Sequence, residues 1–207
     1  MSPSEPHRPS PRRRSEALSM GTLSLDSLIE ALRDEFHHEA RGSHIAELLS
    51  TYARTATDWR AFALFNDQNY TRNLVVREDR FELLFLCWGT GQESPIHNHE
   101  SQDCWMCVIE GRVEEVRYCI PEEVRTGPLE PSGSHVFAQG EVAFIRDEIG
   151  LHLVRSAASD EPAISCHLYA APSDQCNVYC PDTGKVTCQD LQNYSVRGRI
   201  LTTGTDG

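Results

Sequence analysis

From about residue 70 onward the chain is a succession of short apolar stretches, each ended by Gly, Pro, Asp or Ser. Val, Ile, Tyr, Phe and Cys dominate these stretches, which suits pleated strands. Short strands with turn residues between them are typical of an antiparallel sandwich or a small barrel. Glu110-Gly111-Arg112 predicts a hairpin turn between two of the strands. The predicted strands of this mainly β protein are 70–77, 81–88, 103–110, 113–120, 141–145, 151–156 and 163–170.

The stretch before these strands has helical spacing. Apolar residues recur three and four positions apart, and Ser24 is a candidate N-cap for the first of two helices. A short third helix is predicted to start at Thr57-Asp58. We expect these helices to cover one side of a sheet. Their apolar residues are Leu25, Leu28, Ile29, Leu32 and Phe36, then Ile45, Leu48, Leu49 and Tyr52, and last Trp59 and Phe62.

The chain divides into three parts. Residues 1–20 are rich in Pro, Ser and Arg without periodicity, and we expect a disordered tail there. Residues 21–195 are expected to form one domain, because a chain of 207 residues is long enough for a core. Residues 196–207 are expected to form a C-terminal tail.

Composition restricts the partners of this chain. A formal net charge of −12 argues against nucleic acid or an anionic membrane surface. No apolar run approaches the length of a membrane span. The eight cysteines lie mostly in predicted strands, and the first residues contain no apolar signal core. We therefore expect reduced thiols in a cytoplasmic protein.

Three histidines are the most informative chemical feature. His97 and His99 are two residues apart, so in a strand both side chains point to the same face. His152 follows 53 positions after His99, a distance that about four strands would cover. A double-sheet roll can bring such distant strands face to face. Histidines with ordinary hydrogen bonds are the alternative, but this pattern in an all-β chain favours a metal site.

The residues alone do not select the metal. Three histidines with an open position describe zinc as in carbonic anhydrase, whereas non-haem iron oxygenases more often use two histidines and a carboxylate. Glu100 and Asp103 lie nearby, but neither shares the face of the two histidines in an unbroken strand. The pattern therefore predicts a divalent transition metal with three neutral ligands, which favours anionic ligands such as a thiolate.

Two strands carry polar residues on one face. Ser165, His167 and Tyr169 alternate, which predicts a relay in which serine orients histidine and histidine orients tyrosine. A polar face in water is the alternative. Tyr70 and Arg72 also share a face, and the planar fork of arginine suits a carboxylate. For Arg72, an exposed sheet position is the more common alternative.

Cys104 and Cys107 have the spacing of a zinc or redox pair. We reject that interpretation because residues i and i+3 of a strand face opposite sides. No second pair has matching spacing, and Cys107 is expected to pack in the core.

Taken together, these motifs resemble the cysteine dioxygenases, thiol dioxygenases of the cupin superfamily, from about residue 23 to about residue 190. Gly91, His97-x-His99 and Gly111 are similar to the first cupin motif, with Cys104 where most cupins have a glutamate ligand. That cysteine is a hallmark of the animal-type enzymes. The other similar stretches are Tyr70-Thr71-Arg72-Asn73-Leu74-Val75, Leu86-Cys87-Trp88-Gly89, Ile149-Gly150-Leu151-His152 and Ser165-x-His167-Leu168-Tyr169.

The resemblance implies a cupin, or jelly-roll, β-barrel with an N-terminal group of short α-helices. It implies that His97, His99 and His152 hold ferrous iron, Fe(II). L-cysteine would bind the iron through its thiolate and amine, and both atoms of O2 would go to its sulfur. The product would be cysteine sulfinic acid, the second step of thiol oxidation.

The resemblance also assigns roles around the iron. Arg72, with Tyr70, would hold the substrate carboxylate. Cys104 and Tyr169 would become joined by a thioether bond, a protein-derived cofactor. Ser165 and His167 would position the Tyr169 hydroxyl. A cytoplasmic monomer, active in cysteine catabolism and taurine biosynthesis and without nucleic-acid or membrane partners, is the corresponding expectation.

Three alternatives stay open at this point. A dioxygenase for another small thiol, such as 3-mercaptopropionate, is the nearest; in those relatives the position of Cys104 is commonly glycine. A non-catalytic metal-binding cupin is the second, and a zinc or nickel cupin isomerase or hydrolase is the third. Cys176 resembles a cysteine near the pocket mouth of the family, with an inert thiol as the alternative.

Overall fold

The computed structural model describes residues 22–37, 44–119, 127–157 and 161–202. The tail predicted over residues 1–20 and residue 120 of the fourth predicted strand lie outside this part. The helices are α1, Leu25–His37, α2, Ile45–Thr55, and a 3₁₀ helix, Asp58–Phe62. The strands are β1, Thr71–Arg77; β2, Phe81–Trp88; β3, Ile96–His97; β4, Asp103–Glu110; β5, Arg112–Tyr118; β6, Pro131–Ala138; β7, Val142–Ile145; β8, Leu151–Ser156; β9, Ala163–Ala170; β10, Gln175–Tyr179; β11, Val186–Asp190; β12, Ser195–Val196; and β13, Arg199–Ile200.

The strands form two sheets that face each other. The seven-stranded sheet has the order β13-β12-β1-β2-β9-β4-β7, and the six-stranded sheet has the order β11-β10-β3-β8-β5-β6. One apolar cluster contains residues of both sheets, including Leu84 and Met106 from the first and Val113 and Val154 from the second. This arrangement agrees with the predicted mainly β, jelly-roll architecture.

The helices cover the outer face of the seven-stranded sheet. Leu28, Leu32 and Leu49 are fully buried in a second cluster that includes Leu83 and Phe85 of β2. The predicted role of the helices is therefore confirmed. Because helices cover one face of β2 and the other sheet covers its opposite face, every residue of this strand is buried. A strand covered on both faces has a continuous apolar sequence instead of an alternating one.

Polar side chains fix the helices to one another. The Ser24 hydroxyl accepts a hydrogen bond from the Ser27 amide at 3.2 Å, which confirms Ser24 as the N-cap of α1. Asp58 accepts hydrogen bonds from the Leu25 amide at 2.7 Å and from the Tyr52 hydroxyl at 2.8 Å. One carboxylate thus connects the start of α1, the body of α2 and the 3₁₀ helix. Within the described residues, no helix is both long and apolar enough to cross a membrane.

The cysteines follow the two faces of the strands. Cys104 packs in the cluster between the sheets, and Cys107 packs in the cluster under the helices. The two thiols therefore face opposite sides of β4, as predicted. All eight cysteines are free thiols, and those at 119 and 188 are exposed.

The predicted hairpin at Gly111 is wrong. β4 pairs with β7 and β9, whereas β5 pairs with β6 and β8, so the two strands around Gly111 belong to different sheets. Gly111 has a φ of +74° and carries the chain from one sheet to the other. A side chain at this position would meet the Pro162 carbonyl oxygen at 2.7 Å. Glycine is therefore required both by the backbone conformation and by the close approach of another strand.

Several strands were not predicted because they lie at the sheet edges. β6 and β11 are largely exposed, and β6 begins with a proline, so neither has an apolar alternation. Residues 196–202 were assigned to a C-terminal tail, yet β12 pairs with β1 in parallel and with β13 in an antiparallel manner. This stretch extends the seven-stranded sheet, while the domain boundaries themselves stay a prediction.

We expect Gly111→Ala to destabilise the fold more than Gly91→Ala. Both glycines have a φ near +74°, so each alanine should cost about 1–2 kcal/mol. A side chain at Gly91 meets nothing within 4 Å, whereas at Gly111 it meets backbone. Overpacking should add a further ~1–3 kcal/mol at Gly111, measured by denaturant unfolding. Equal losses in the two variants would contradict the close approach at Gly111.

Candidate active site

The three predicted histidines meet at one point between the sheets. β3 and β8 are antiparallel neighbours, and His97 lies directly opposite His152 in their register. His99 lies just beyond the end of β3, so the prediction of one strand carrying both His97 and His99 is only partly correct. The ring centroids of the three histidines are 4.6, 4.7 and 5.2 Å apart. One ring nitrogen from each lies within 4.8 Å of the others.

A carboxylate holds the segment that carries His99. Asp147 accepts hydrogen bonds from the His99 amide and from the Ser101 amide, each at 2.7 Å. Glu100 and Ser101 have positive φ values of 49° and 65°, so the chain turns sharply away after the histidine. The Asp147 contacts therefore compensate a strained backbone and fix the position from which His99 enters the site.

Hydrogen bonds behind the rings fix where the protons of His97 and His152 lie. Nδ1 of His97 lies 2.9 Å from the Pro95 carbonyl oxygen, and Nδ1 of His152 lies 2.8 Å from Oε1 of Glu115. A carbonyl and a carboxylate only accept, so both Nδ1 atoms donate and both Nε2 atoms carry a lone pair. The two Nε2 atoms face each other at 3.2 Å. Two lone pairs at this distance repel unless a cation lies between them.

The donor set fits a divalent transition metal. Burial lowers the pKa of His97, His99 and His152, so the rings are neutral and can act as ligands. Neither ring nitrogen of His99 has a hydrogen-bond partner, although both are buried. A buried nitrogen without a partner is costly, and coordination to a cation would satisfy it. Within the described ranges, this trio is the one group of histidine, cysteine and acidic side chains with metal-site spacing.

Ser165, His167 and Tyr169 form a series of hydrogen-bond contacts on β9, as predicted. Trp88 on β2 adds one further member before Ser165. The Trp88 indole N–H donates to the Ser165 hydroxyl at 2.8 Å. Indole can only donate, so among these contacts His167 is the acceptor for the Ser165 hydroxyl proton, and Ser165 donates to Nε2 of His167, also at 2.8 Å. The His167 proton therefore lies on Nδ1, which is 3.4 Å from the Tyr169 oxygen. His167 donates toward that oxygen, and the Tyr169 O–H is free to point elsewhere.

Tyr169 extends from β9 of the seven-stranded sheet toward the histidines. Its ring stacks on that of His99 with centroids 6.3 Å apart. In the register of β9 and β4 it lies directly opposite Cys104. Burial raises the pKa of the Tyr169 phenol and of the Cys104 thiol, so both groups are protonated in the resting site.

Arg72 reaches the same pocket from β1. Its guanidinium carbon lies 5.6 Å from the centre of the Tyr169 ring, and its buried Nε has no hydrogen-bond partner. Tyr70 stacks on Trp88 at 4.8 Å between ring centroids, which places both predicted substrate-side residues at the pocket wall. A buried guanidinium with an unused donor is suited to an anion.

Glu82 is a buried carboxylate that the sequence did not single out. Its Oε1 lies 3.6 Å from Nη2 of Arg72, and its Oε2 lies 3.9 Å from Nη1 of Arg77. Burial raises the pKa of Glu82, and the two arginines oppose that shift. The charge of Arg72 is therefore shared with a protein carboxylate before any ligand enters.

The histidines open onto a cavity of about 1100 Å³. Its walls include Arg72, Tyr70, His167, Tyr169 and the three histidines, whereas Cys104 and Ser165 lie behind the wall. Cys176 also lines the cavity and is buried, while the roles of the other cysteines outside the site stay unassigned. Many side-chain amides also line the cavity, namely Asn66, Gln68, Asn69, Asn98, Gln102, Gln175, Gln189, Gln192 and Asn193.

Besides Glu82, three residues that hold the site side chains in place were not predicted from the sequence. Glu115 and Asp147 are acidic residues in stretches that have no motif of their own, and Trp88 was noted only as part of a similar stretch. Trp88 alone offered a signal, because a tryptophan buried in a strand needs a partner for its N–H. The carboxylates could not be found, since their partners are distant in sequence.

Comparison with known proteins places this geometry in context. A family model described as cysteine dioxygenase type I matches residues 14–181. The chain is 32% identical over 197 residues to cysteine dioxygenase type 1 of Homo sapiens, covering 93% of this chain and 97% of that protein. It is 33% identical over 163 residues to cysteine dioxygenase type 1 of Danio rerio, covering 78% and 81% respectively.

The solved structures to which the chain is similar include those of two bacterial proteins. A conserved protein with a double-stranded β-helix domain from Klebsiella pneumoniae has a TM-score of 0.44 at 15% identity, covering 66% of this chain and 97% of that one. An RmlC-like cupin protein from Desulfovibrio desulfuricans has a TM-score of 0.36 at 24% identity, covering 53% and 90%.

We expect His167 to make the metal-free protein less stable in acid. Burial, reinforced by Arg72 and His97, lowers the pKa of His167 to about 3, whereas an unfolded histidine has a pKa of about 6.5. Below about pH 6.5 the unfolded chain therefore binds a proton that the folded chain excludes. The free energy of unfolding should fall by up to ~1.4 kcal/mol per pH unit from this one group.

The measurement is denaturant unfolding between pH 4 and pH 7 for the parent chain and His167→Gln. The variant should lose stability less steeply as the pH falls. His135→Gln, at an exposed position on β6, serves as the control for the substitution itself. Identical slopes for the parent chain and His167→Gln would show that His167 takes up its proton while folded.

Proposed function

Because the chain belongs to the cysteine dioxygenase type I family, we propose that it is an iron-dependent thiol dioxygenase acting on L-cysteine. The observation that carries the proposal is the meeting of three inward-facing imidazoles with a buried guanidinium at one cavity. The reaction adds both atoms of O2 to the substrate sulfur. Sulfur loses four electrons and dioxygen gains four, so the thiol becomes a sulfinic acid without any external reductant.

We propose that His97, His99 and His152 hold the iron as Fe(II). Their bare nitrogens and the lack of a protein anion in the donor set leave the charge of a divalent ion for the substrate to balance. When bound, ferrous iron supplies the Lewis acidity that deprotonates a thiol and the redox chemistry of dioxygen. The chain's own contribution is to keep three donors neutral, dry and fixed.

Arg72 and Tyr70 are proposed to orient the substrate carboxylate. The buried guanidinium offers an unused donor, its Nε, and the Tyr70 ring is held by stacking on Trp88. An anchored carboxylate leaves the thiol and the amine of cysteine free to turn toward the histidines. Fixing the substrate in this way removes much of the entropic cost of bringing sulfur and dioxygen together.

The relay is proposed to aim the Tyr169 hydroxyl at the reacting atoms. His167 directs its Nδ1 proton toward the Tyr169 oxygen, so the phenol proton is free to point into the cavity. Burial keeps the phenol protonated, which makes it a hydrogen-bond donor for an oxygen that accumulates negative charge. Ser165 and Trp88 hold the imidazole in the required tautomer.

We further propose a thioether bond between Cys104 and Tyr169. The two residues are direct neighbours on adjacent strands, and both side chains are buried between the sheets. A bond from the Cys104 sulfur to a ring carbon beside the phenol oxygen replaces an S–H and a C–H bond. The two electrons and two protons released would pass to dioxygen, the oxidant that the proposed activity already uses.

The remaining expectations for the chain stay predictions. Two of them are a cytoplasmic location and a monomeric state. The third is the absence of nucleic-acid or membrane partners, which the net charge of −12 supports. A role in cysteine catabolism and taurine biosynthesis depends on the proposed reaction.

We expect the iron-loaded protein to consume oxygen in the presence of L-cysteine and to release cysteine sulfinic acid. The measurement is oxygen uptake combined with quantification of the product. His152→Ala should abolish both signals together with the bound iron, because one of three ligands is lost. Oxygen uptake with 3-mercaptopropionate and none with L-cysteine would support the alternative substrate, and uptake with neither would reject the proposed activity.

Arg72→Ala tests the carboxylate anchor in the same assay. Loss of a buried charge-paired contact should lower kcat/KM for L-cysteine on the order of 100-fold, mostly through KM. Arg155→Ala is the control, because Arg155 pairs with Glu114 outside the cavity. Unchanged kinetics in Arg72→Ala would place the carboxylate elsewhere.

We expect Cys104→Ser to remove the cross-linked form of the chain. A denaturing gel of protein that has turned over cysteine should show two bands, because a cross-linked chain is more compact. Cys107→Ser is the matched control, since this thiol faces the helices and should leave both bands in place. Two bands in Cys104→Ser, or a tryptic peptide without the loss of two hydrogens in the parent chain, would contradict the proposed bond.

A further inference from the structure

The three histidines differ in what lies behind them. His97 donates to a backbone carbonyl, His99 has no partner for either ring nitrogen, and His152 faces the carboxylate of Glu115. The trio is therefore chemically unequal, although its members are the same residue type. The proposed activity uses the histidines and leaves Glu115 without a role.

Glu115 is an unusual residue to find inside the protein. It lies on β5, next to β8, with a relative exposure of 1%, and His152 is exposed to only 2%. Burying a carboxylate is costly unless hydrogen bonds and an opposite charge compensate the lost water. Its neighbour Glu114 shows the more usual environment of a glutamate, because its side chain is partly exposed and pairs with Arg155 at 2.9 Å.

Arg117 supplies the compensation. Its Nε donates to Oε2 of Glu115 at 2.9 Å, and its Nη2 donates to the Phe144 carbonyl at 3.3 Å. The carboxylate thus has a donor on each oxygen, the imidazole of His152 on one side and a guanidinium on the other. Glu115 and Arg117 also line a second cavity of about 440 Å³, separate from the one that the histidines share. A guanidinium at that cavity favours the carboxylate form of Glu115 directly behind one candidate ligand.

We propose that Glu115 is a positioning residue for metal binding, which fixes His152 with Nε2 bare and aimed at the metal, and that Arg117 holds Glu115 in place. The inference rests on the part of the proposed function in which His152 is a metal ligand. A carboxylate behind a coordinating histidine sets the tautomer, orients the ring and makes the imidazole a stronger donor. Loss of such a partner lowers metal affinity by roughly 10–100-fold.

Glu115→Gln is the discriminating variant because it keeps the shape of the side chain and removes its charge. An amide has one accepting oxygen, whereas both neighbours of Glu115 are donors. Because His152 and Arg117 donate to different oxygens of Glu115, a glutamine in the same position can satisfy only one of them and turns its NH2 group toward the other. Glu114→Gln is the matched control on the same strand, since it removes an identical charge that faces away from His152.

The experiment measures binding of Co(II) to the metal-free full-length chain by competition with a chelator. We expect Glu115→Gln to bind Co(II) at least about 10-fold more weakly than the parent chain. Glu114→Gln should stay within about 2-fold, as expected for a partly exposed ion pair. Equal affinity in the parent chain and Glu115→Gln would overturn the proposal.

A second measurement needs no variant and covers the case in which Glu115→Gln does not fold. Nitrogen NMR of the ¹⁵N-histidine-labelled, metal-free chain reports which ring nitrogen of His152 carries its proton. We expect a protonated Nδ1 and a bare Nε2. A proton on Nε2, or a mixture of the two tautomers, would overturn the proposal.

The two measurements separate this inference from the proposed activity. If Co(II) affinity falls in Glu115→Gln while the iron-loaded parent chain shows no oxygen uptake with L-cysteine, the positioning role stands and the dioxygenase proposal fails. If the parent chain is active and Glu115→Gln retains full affinity, the dioxygenase proposal stands and the positioning role fails.

Discussion

The face-to-face packing of the two sheets is the constraint on which the site depends. Strand β9 lies between β2 and β4 in the seven-stranded sheet, with Cys166 and Leu168 turned toward the helices and His167 turned toward the other sheet. Because side chains alternate along a strand, the residues of β9 that face the helices and those that face the other sheet form two separate sets, the first apolar and the second mainly polar. The six-stranded sheet supplies His97 and His152, which lie opposite each other on the neighbouring strands β3 and β8. The site is thus assembled from two layers, and neither sheet could build it alone.

Most of the polar groups between the sheets are arranged in series of paired donors and acceptors. The series from Trp88 through Ser165 to His167 satisfies every member in turn, and the pairing of Arg117 with Glu115 does the same behind His152. Such networks are stabilising only when complete, because a single buried group without a partner is costly. The exceptions within the described residues are Nε of Arg72 and both nitrogens of His99. All three atoms belong to side chains at the proposed substrate and metal positions.

Local geometry in the sequence indicated which side chains come together better than it indicated the edges of the fold. The alternation around His167 follows from strand geometry, so those side chains could be assigned to a face in advance. The cysteines of β4 were assigned to opposite faces for the same reason. His99 lies beyond the end of β3, and it meets the other two histidines because Asp147 holds the turn that follows. The turn at Gly111 was misjudged because local sequence does not tell which sheet the next strand joins. Exposed strands such as β6 lack an apolar face, and Glu115 has no local signature because its partner is 37 positions away.

The neighbourhood of Arg72 also has a consequence for how the cavity empties. Glu82 already draws on the guanidinium from 3.6 Å, so an arriving carboxylate competes with a resident one that cannot diffuse away. The attraction of Arg72 for the substrate carboxylate would therefore be moderate. The same would hold for the proposed sulfinic acid product, which keeps that carboxylate. A weaker contact between Arg72 and the product carboxylate would shorten the time for which the product stays bound. Arg72 would then pair with Glu82 again. If Arg72 anchors the substrate as proposed, one acidic side chain on β2 would influence both the retention of the substrate and the release of the product.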